Sequence, residues 1–103
     1  MSGRSSYGSF ADFYPFYLSE HSDRRCRRLH FLGTALLPCV LLASLASGRL
    51  IWLWALPLVG YGFAWVGHFF FERNRPATFA HPLYSLLGDF VMFRDIVTGR
   101  IPF

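Results

Sequence analysis

The sequence predicts an all-α integral membrane protein, a helical hairpin of two transmembrane helices with flanking interfacial helices. The first observation is a pair of uncharged runs, twenty residues at 29–48 and twenty-two at 50–71. As a helix, each run is long enough to cross a hydrocarbon core of about 30 Å. The second observation is composition, since 53% of the residues are hydrophobic and only 16% are charged. An ordinary soluble domain has about 25% charged residues. With 103 residues the chain has room for a single domain.

The N-terminal part of the chain precedes the first hydrophobic run. Residues 1–8 are polar and rich in glycine and serine, so we expect a disordered tail without a cleaved signal peptide. Residues 9–21 predict an interfacial helix that begins with a capping box of Ser9 and Asp12. One stripe of this helix is aromatic and is expected at headgroup level: Phe10, Phe13, Tyr14 and Tyr17. Ser22 is then expected to cap the next helix.

The predicted spans are residues 22–48 and 50–72, and the short connection between them requires an antiparallel hairpin. Residues 79–98 predict a second interfacial or re-entrant helix, which is too short to span. Its expected apolar face consists of Leu83, Leu86, Leu87 and Phe90. Its expected polar stripe consists of His81, Ser85 and Asp89.

The arginines predict the orientation of the hairpin. Four precede the first span, two follow the second, and only Arg49 lies in the turn. By the positive-inside rule, both termini face the cytoplasm. The net charge of +4 is too small and too dispersed for a nucleic-acid surface. We therefore expect no nucleic-acid partner and expect membrane lipid as the anionic partner.

The histidines are the candidate functional residues. His30 lies nineteen residues before Arg49 and His68 lies nineteen after it, so the hairpin places them at equal depth near its cytoplasmic end. His21 leads into the first span and His81 follows the second, so all four imidazoles can converge at the membrane edge. Several imidazoles with a carboxylate form the ligand set of a non-haem iron or zinc site.

Other polar residues lie close to this layer in sequence. Glu72 is one helical turn after His68, and it is a candidate either to bind the metal or to hold a ligating imidazole. Cys26 is expected to be a small packing residue rather than a ligand. The candidates for an additional ligand or for a hydrogen-bonding group behind the ligands are His81 and Asp89. The candidates for binding the carboxylate of a lipid substrate are Arg73 and Arg75.

Three segments carry a resemblance to a known family. They read FYLSEH at 16–21, RLHFLG at 28–33 and VGHFFFERNRPA at 66–77. With them the chain resembles the 2-hydroxy fatty acid dioxygenase-like family of small membrane proteins, formerly a domain of unknown function, and it looks like a short, prokaryotic-type member. The resemblance implies metal-binding histidines at His21, His30 and His68 and a catalytic role for Glu72.

The resemblance also implies an activity and a location. The implied activity is an iron(II)-dependent dioxygenase that shortens 2-hydroxy fatty acids by one carbon at the cytoplasmic edge of a prokaryotic inner membrane. The expected partners are membrane lipid, the 2-hydroxy fatty acid and dioxygen, and a homo-oligomer is expected to complete the pocket. Two other functions stay open on the residues alone: a haem-binding membrane protein with two axial histidines, and a non-enzymatic assembly protein.

Overall fold

The computed structural model describes residues 7–103, so most of the predicted tail at 1–8 lies outside the described residues. Over the described range the chain is helical and has no β-strand. The main helices are α1 (Phe10–Ser19), α2 (Arg24–Ser47), α3 (Leu50–Glu72) and α4 (Pro82–Val97). A short 3₁₀ turn, Ala77–Phe79, precedes α4. The predicted all-α class is confirmed, and α2 and α3 are both long and apolar enough to cross a membrane.

A tight turn makes α2 and α3 an antiparallel hairpin. Gly48 ends α2 with a φ of 71°, in the left-handed region that glycine adopts without strain. The hydroxyl of Ser44 donates a hydrogen bond to the carbonyl of Arg49 at 3.0 Å, which ties the end of α2 to the start of α3. The connection is therefore short and internally hydrogen-bonded, as the spacing of the two uncharged runs predicts.

The hairpin exposes its apolar surface. Only 22% of the most hydrophobic window of α2 and 11% of that of α3 are buried inside the protein, whereas the core helix of a soluble protein is mostly buried. The exposed side chains include Leu42, Leu45, Ile51, Trp54 and Leu58. Exposed apolar side chains along both helices are favourable in lipid and costly in water. This distribution supports a membrane environment for the hairpin.

The aromatic stripe of α1 packs against α4 rather than against headgroups. Phe13 and Tyr17 are fully buried, and the Phe13 ring centroid lies 5.4 Å from that of Tyr84. A Cβ atom at Gly88 would lie 2.9 Å from the Tyr17 ring, so the glycine creates the space that this ring occupies. The expected contact of Phe13 and Tyr17 with headgroups is thus wrong, because burial against a neighbouring helix removes more ring surface from water.

The two faces of α4 have opposite environments. The apolar face points outward, and Leu83 is 80% exposed. The inward face combines polar or small residues, Ser85, Gly88 and Asp95, with the apolar side chains of Met92 and Ile96. Asp95 accepts a hydrogen bond of 2.8 Å from the hydroxyl of Tyr14. Polar groups inside and leucines outside are typical of a helix that contacts lipid.

Candidate metal centre

Three histidines from three segments of the chain converge at one end of the hairpin. His21 follows α1, His30 lies near the start of α2, and His68 lies in the π-helical last turn of α3. The Nε2 atom of His21 is 3.1 Å from that of His30 and 3.0 Å from that of His68. All three side chains are buried, with at most 5% of their surface exposed. The sequence placed these residues at one depth, and the structure brings their rings into contact.

Backbone carbonyls orient two of these rings. The Nδ1 atom of His21 lies 2.6 Å from the carbonyl oxygen of Tyr17, and that of His30 lies 3.2 Å from the carbonyl oxygen of Cys26. A carbonyl oxygen only accepts hydrogen bonds, so each Nδ1 carries the proton and each Nε2 carries a lone pair. Burial, together with the neighbouring His30 and His68, holds the pKa of His21 well below its usual range, which keeps its ring neutral.

The third ring is oriented by Asn74. The side-chain oxygen of Asn74 lies 2.7 Å from Nδ1 of His68, while its amide nitrogen donates to the carbonyl of Glu20 at 3.1 Å. Because the amide nitrogen has its own acceptor, the oxygen must face the histidine. The backbone N–H of Asn74 also donates to the carbonyl of His68 at 3.1 Å, just beyond the π-helical turn. Asn74 was not among the residues selected from the sequence, although it lies in the segment that carries the resemblance.

This arrangement directs three lone pairs at one point. Without a cation, three neutral Nε2 atoms so close together repel one another and have no donor between them. Metal–imidazole bonds of about 2.0–2.1 Å at right angles would set neighbouring Nε2 atoms about 3 Å apart. The two separations from Nε2 of His21, 3.1 and 3.0 Å, fit neighbouring ligands of one metal ion. Carbonyl and amide partners on the opposite nitrogens are typical of metal-ligating histidines.

Cys26 lies beside the cluster, next to the Nδ1 side of the His30 ring. Its Sγ atom belongs to the group of possible ligand atoms that lie within 4.8 Å of one another. It approaches Nδ1 of His30 at 3.8 Å rather than the convergent Nε2 atoms. A Cβ atom at Gly67 would lie 2.9 Å from this sulfur, so α2 and α3 meet closely here. These contacts are consistent with the packing role expected for Cys26.

A carboxylate from α4 lies next to the cluster. Asp89 Oδ1 accepts a hydrogen bond of 2.5 Å from the hydroxyl of Tyr17 and lies 3.8 Å from Nε2 of His30. Burial raises the pKa of Asp89 to about 6, although the hydrogen bond from Tyr17 opposes this shift. Burial also raises the pKa of Tyr17 well above its usual range, so its hydroxyl remains a donor. Asp89 is thus a neighbour of His30, and its role as a further ligand or as a hydrogen-bonding group stays a prediction.

Glu72 contacts the start of α2. Its carboxylate accepts hydrogen bonds from the backbone N–H of Asp23 at 2.5 Å and from the hydroxyl of Ser22 at 3.2 Å. Asp23 is the N-cap residue and accepts from the backbone N–H of Arg25 at 2.8 Å, so the expectation that Ser22 caps this helix is wrong. Glu72 is not among the described side chains that converge on the cluster, and its catalytic role stays a prediction.

The remaining candidates lie apart from the three Nε2 atoms. The ring of His81 packs 5.2 Å from that of Tyr7 and 5.3 Å from that of Phe13, and His81 is absent from the convergent group found among residues 7–103. Arg73 and Arg75 line an open depression of ≈ 460 Å³ together with phenylalanines of α3. Arg75 also lies over the Phe79 ring, 5.2 Å from its centroid. Binding of a substrate carboxylate by these arginines stays a prediction.

An apolar groove begins at His30, one residue of the cluster, and runs along the hairpin. Its volume is ≈ 440 Å³, and its polar end is formed by His30, Asp89, Thr34 and Tyr61. Its other walls come from α2, α3 and α4: Leu37, Pro38, Leu41, Leu56, Pro57 and Phe90. From His30 to Leu41 the rise along α2 is about 16 Å. This shape fits a ligand with a polar head at the histidines and a long apolar chain.

These observations define a small helical protein with two helices suited to crossing a membrane and a buried His/Cys/His/His cluster that could hold a metal ion. The chain belongs to the Mpo1-like family, described as 2-hydroxy-palmitic acid dioxygenase Mpo1-like, whose model matches residues 7–101. This membership confirms the family predicted from the three motifs. No curated protein and no solved structure matches the chain.

Proposed function

We propose that this protein is an iron(II)-dependent dioxygenase that cleaves the C1–C2 bond of 2-hydroxy fatty acids. The observation that carries the proposal is the convergence of three imidazoles, with Nε2 of His21 3.1 Å from that of His30 and 3.0 Å from that of His68, beside an apolar groove that His30 lines. The family description supplies the class of reaction and of substrate. Three histidines without a thiolate at the convergent positions suit iron among the metals that accept imidazole.

The overall reaction balances without another reductant. Oxidation of a 2-hydroxy acid to the acid one carbon shorter and carbon dioxide removes four electrons, and one dioxygen accepts them. Four oxygen atoms leave in the acid and carbon dioxide, and the fifth leaves in water. Bound iron would supply dioxygen activation and sites for the carboxylate and 2-hydroxyl of the substrate.

The chain's own residues position the substrate. His21, His30 and His68 would hold the ion through Nε2 and, as three protein ligands, would leave further positions free for the substrate. The apolar groove holds the acyl chain and excludes water from it. Asp89, at the polar end, keeps its second carboxylate oxygen available to accept a hydrogen bond from the 2-hydroxyl, while Tyr17 holds the first.

The location of the site suits a lipid substrate. The histidines lie at the arginine-rich end of the hairpin, which the positive-inside rule assigns to the cytoplasmic face. We propose the prokaryotic inner membrane as the location, with both termini cytoplasmic. The acyl chain then stays at membrane depth while the head reaches the histidines.

The geometry disfavours the haem alternative. Two axial histidines place their nitrogens on opposite sides of the iron, about 4 Å apart at bond lengths of about 2 Å, with the macrocycle between them. Nε2 of His21 lies only 3.1 Å from that of His30 and 3.0 Å from that of His68. These distances leave no room for a macrocycle between the rings.

The test is anaerobic reconstitution with iron(II) in detergent, followed by metal analysis and conversion of 2-hydroxy-palmitic acid. We expect one iron per chain and an oxygen-dependent fifteen-carbon acid. His68→Ala should lose both the bound iron and the fifteen-carbon product. His81→Gln is the matched control, because His81 lies outside the cluster, and it should retain iron. Undiminished iron in His68→Ala would refute the metal site. A metal-free but stable protein whose histidine variants change only assembly would support the non-enzymatic alternative.

A further inference from the structure

A second, much smaller cavity adjoins the three histidines. Its volume of ≈ 10 Å³ is about that needed for one molecule the size of water. The rings of His21, His30 and His68 form one side. The other side is formed by the segment after α3 and by facing helices: Ala64, Trp65, Ala77, Thr78 and Ser85. A ligand in this cavity is in reach of the histidine cluster and has no space for an acyl chain.

Two residues of this cavity carry buried polar atoms without a partner. Trp65 Nε1 and Ser85 Oγ are both buried, and neither has a hydrogen-bond partner among residues 7–103. Ser85 is 3% exposed, so bulk water does not replace the missing partner. Unpaired buried donors cost stability, and a native protein retains them where they serve a ligand. Neither residue takes part in the contacts that orient the histidines.

The small cavity and the apolar groove are separate compartments with a shared wall. His30, Tyr61 and Asp89 line both of them. The groove has room for a long chain, whereas the small cavity has room for about one small molecule. A metal ion held by the histidines would therefore lie beside two spaces that differ in size.

We infer that the small cavity binds an oxygen ligand of the metal, either water or dioxygen, and that Trp65 and Ser85 donate hydrogen bonds to it. The inference rests on the proposed metal site and adds a binding pocket with two positioning residues. An indole N–H and a hydroxyl stabilise negative charge on a small ligand without carrying a charge into a buried site. The indole N–H does not compete with the histidines for the metal, because it has no lone pair to offer.

The test uses nitric oxide as a diatomic probe of the iron(II)-loaded protein. We expect Trp65→Phe and Ser85→Ala to bind one iron per chain but to raise the Kd for nitric oxide about fivefold each, the value of one hydrogen bond. Ser85→Ala should leave the thermal unfolding of the metal-free protein unchanged or raise its midpoint, because it removes an unpaired buried hydroxyl and almost no volume. Trp52→Phe and Ser47→Ala, at the opposite end of the hairpin, are the matched controls for the affinity and should leave the Kd for nitric oxide unchanged.

The outcomes separate this inference from the proposed function. Wild-type affinity for nitric oxide in both variants, with iron bound, would overturn the small-ligand pocket and leave the metal site intact. Weaker binding in the two variants with wild-type iron content and unchanged controls would support it. Failure of the wild-type protein to bind iron would refute the proposed function and this inference together.

Discussion

The hydrogen bond from His68 to Asn74 provides a quantitative test of the metal centre. Asn74→Ala removes the acceptor 2.7 Å from Nδ1 of His68 and the amide that donates to Glu20. The His68 ring is then no longer held in one orientation or in the tautomer with the proton on Nδ1, while all three histidines remain. Loss of such an outer hydrogen bond weakens metal affinity about 10- to 100-fold, which corresponds to about 1.4 kcal/mol for each tenfold. We expect a loss in this range.

The assay is competition for iron(II) or cobalt(II) with a chelator of known affinity in detergent. Asn74→Asp is the matched control, because its carboxylate accepts from Nδ1 but does not donate to Glu20. We expect Asn74→Asp to bind metal more tightly than Asn74→Ala. Equal affinity of Asn74→Ala and the wild-type protein would refute the assignment of Nε2 of His68 as a ligand, provided that both proteins remain folded.

Three further predictions concern packing, the groove and the start of α2. Gly88→Ala should lower stability by about 1–3 kcal/mol, because its Cβ would lie 2.9 Å from the ring packed on it; Gly62→Ala, with nothing within 4 Å, should not. Thermal unfolding in detergent compares the two. Leu41→Trp, at the far end of the groove, should shift the accepted substrates to shorter chains, whereas Leu42→Trp, which is 65% exposed and outside the groove, should not. Product analysis with a series of 2-hydroxy acids measures this shift, and an unchanged preference in both would count against the groove as the acyl site. Glu72→Ala should lower stability by about 0.5–2 kcal/mol, because it removes the carboxylate that accepts from the backbone N–H of Asp23 at the start of α2, and should keep one iron per chain; loss of turnover at unchanged stability would instead support the catalytic role.

The helical hairpin could be predicted from the sequence because it depends only on local features, the length of each uncharged run and the length of the turn. The two uncharged runs have the length of a membrane span, and the turn between them is too short for any but an antiparallel arrangement. Equal spacing of His30 and His68 from Arg49 then places both imidazoles at one depth. These inferences need only the helical rise and the position of the turn.

The orientation of side chains around the helices could not be predicted in the same way. The aromatic stripe of α1 fits a membrane surface and a protein neighbour equally well, and only the packing of Tyr17 against Gly88 decides between them. Glu72 shares a helix face with His68 in an ideal α-helix. The π-helical turn at the end of α3 changes this register, and the carboxylate instead meets the N-terminus of α2.

The sequence alone determined the helical class, the membrane-length hairpin, the family and the three histidines that share one depth, because periodicity, run length and motif are properties of the chain itself. The tertiary structure decided which ring nitrogens face one another, which polar groups stand behind them, and that Asp89, Trp65 and Ser85 surround the same centre. The physical reason is that helix rotation and crossing are set by packing between segments distant in the chain, such as Tyr17 against α4 and Asn74 against the end of α1. The sequence of one helix therefore does not predict which face of it will pack against another helix.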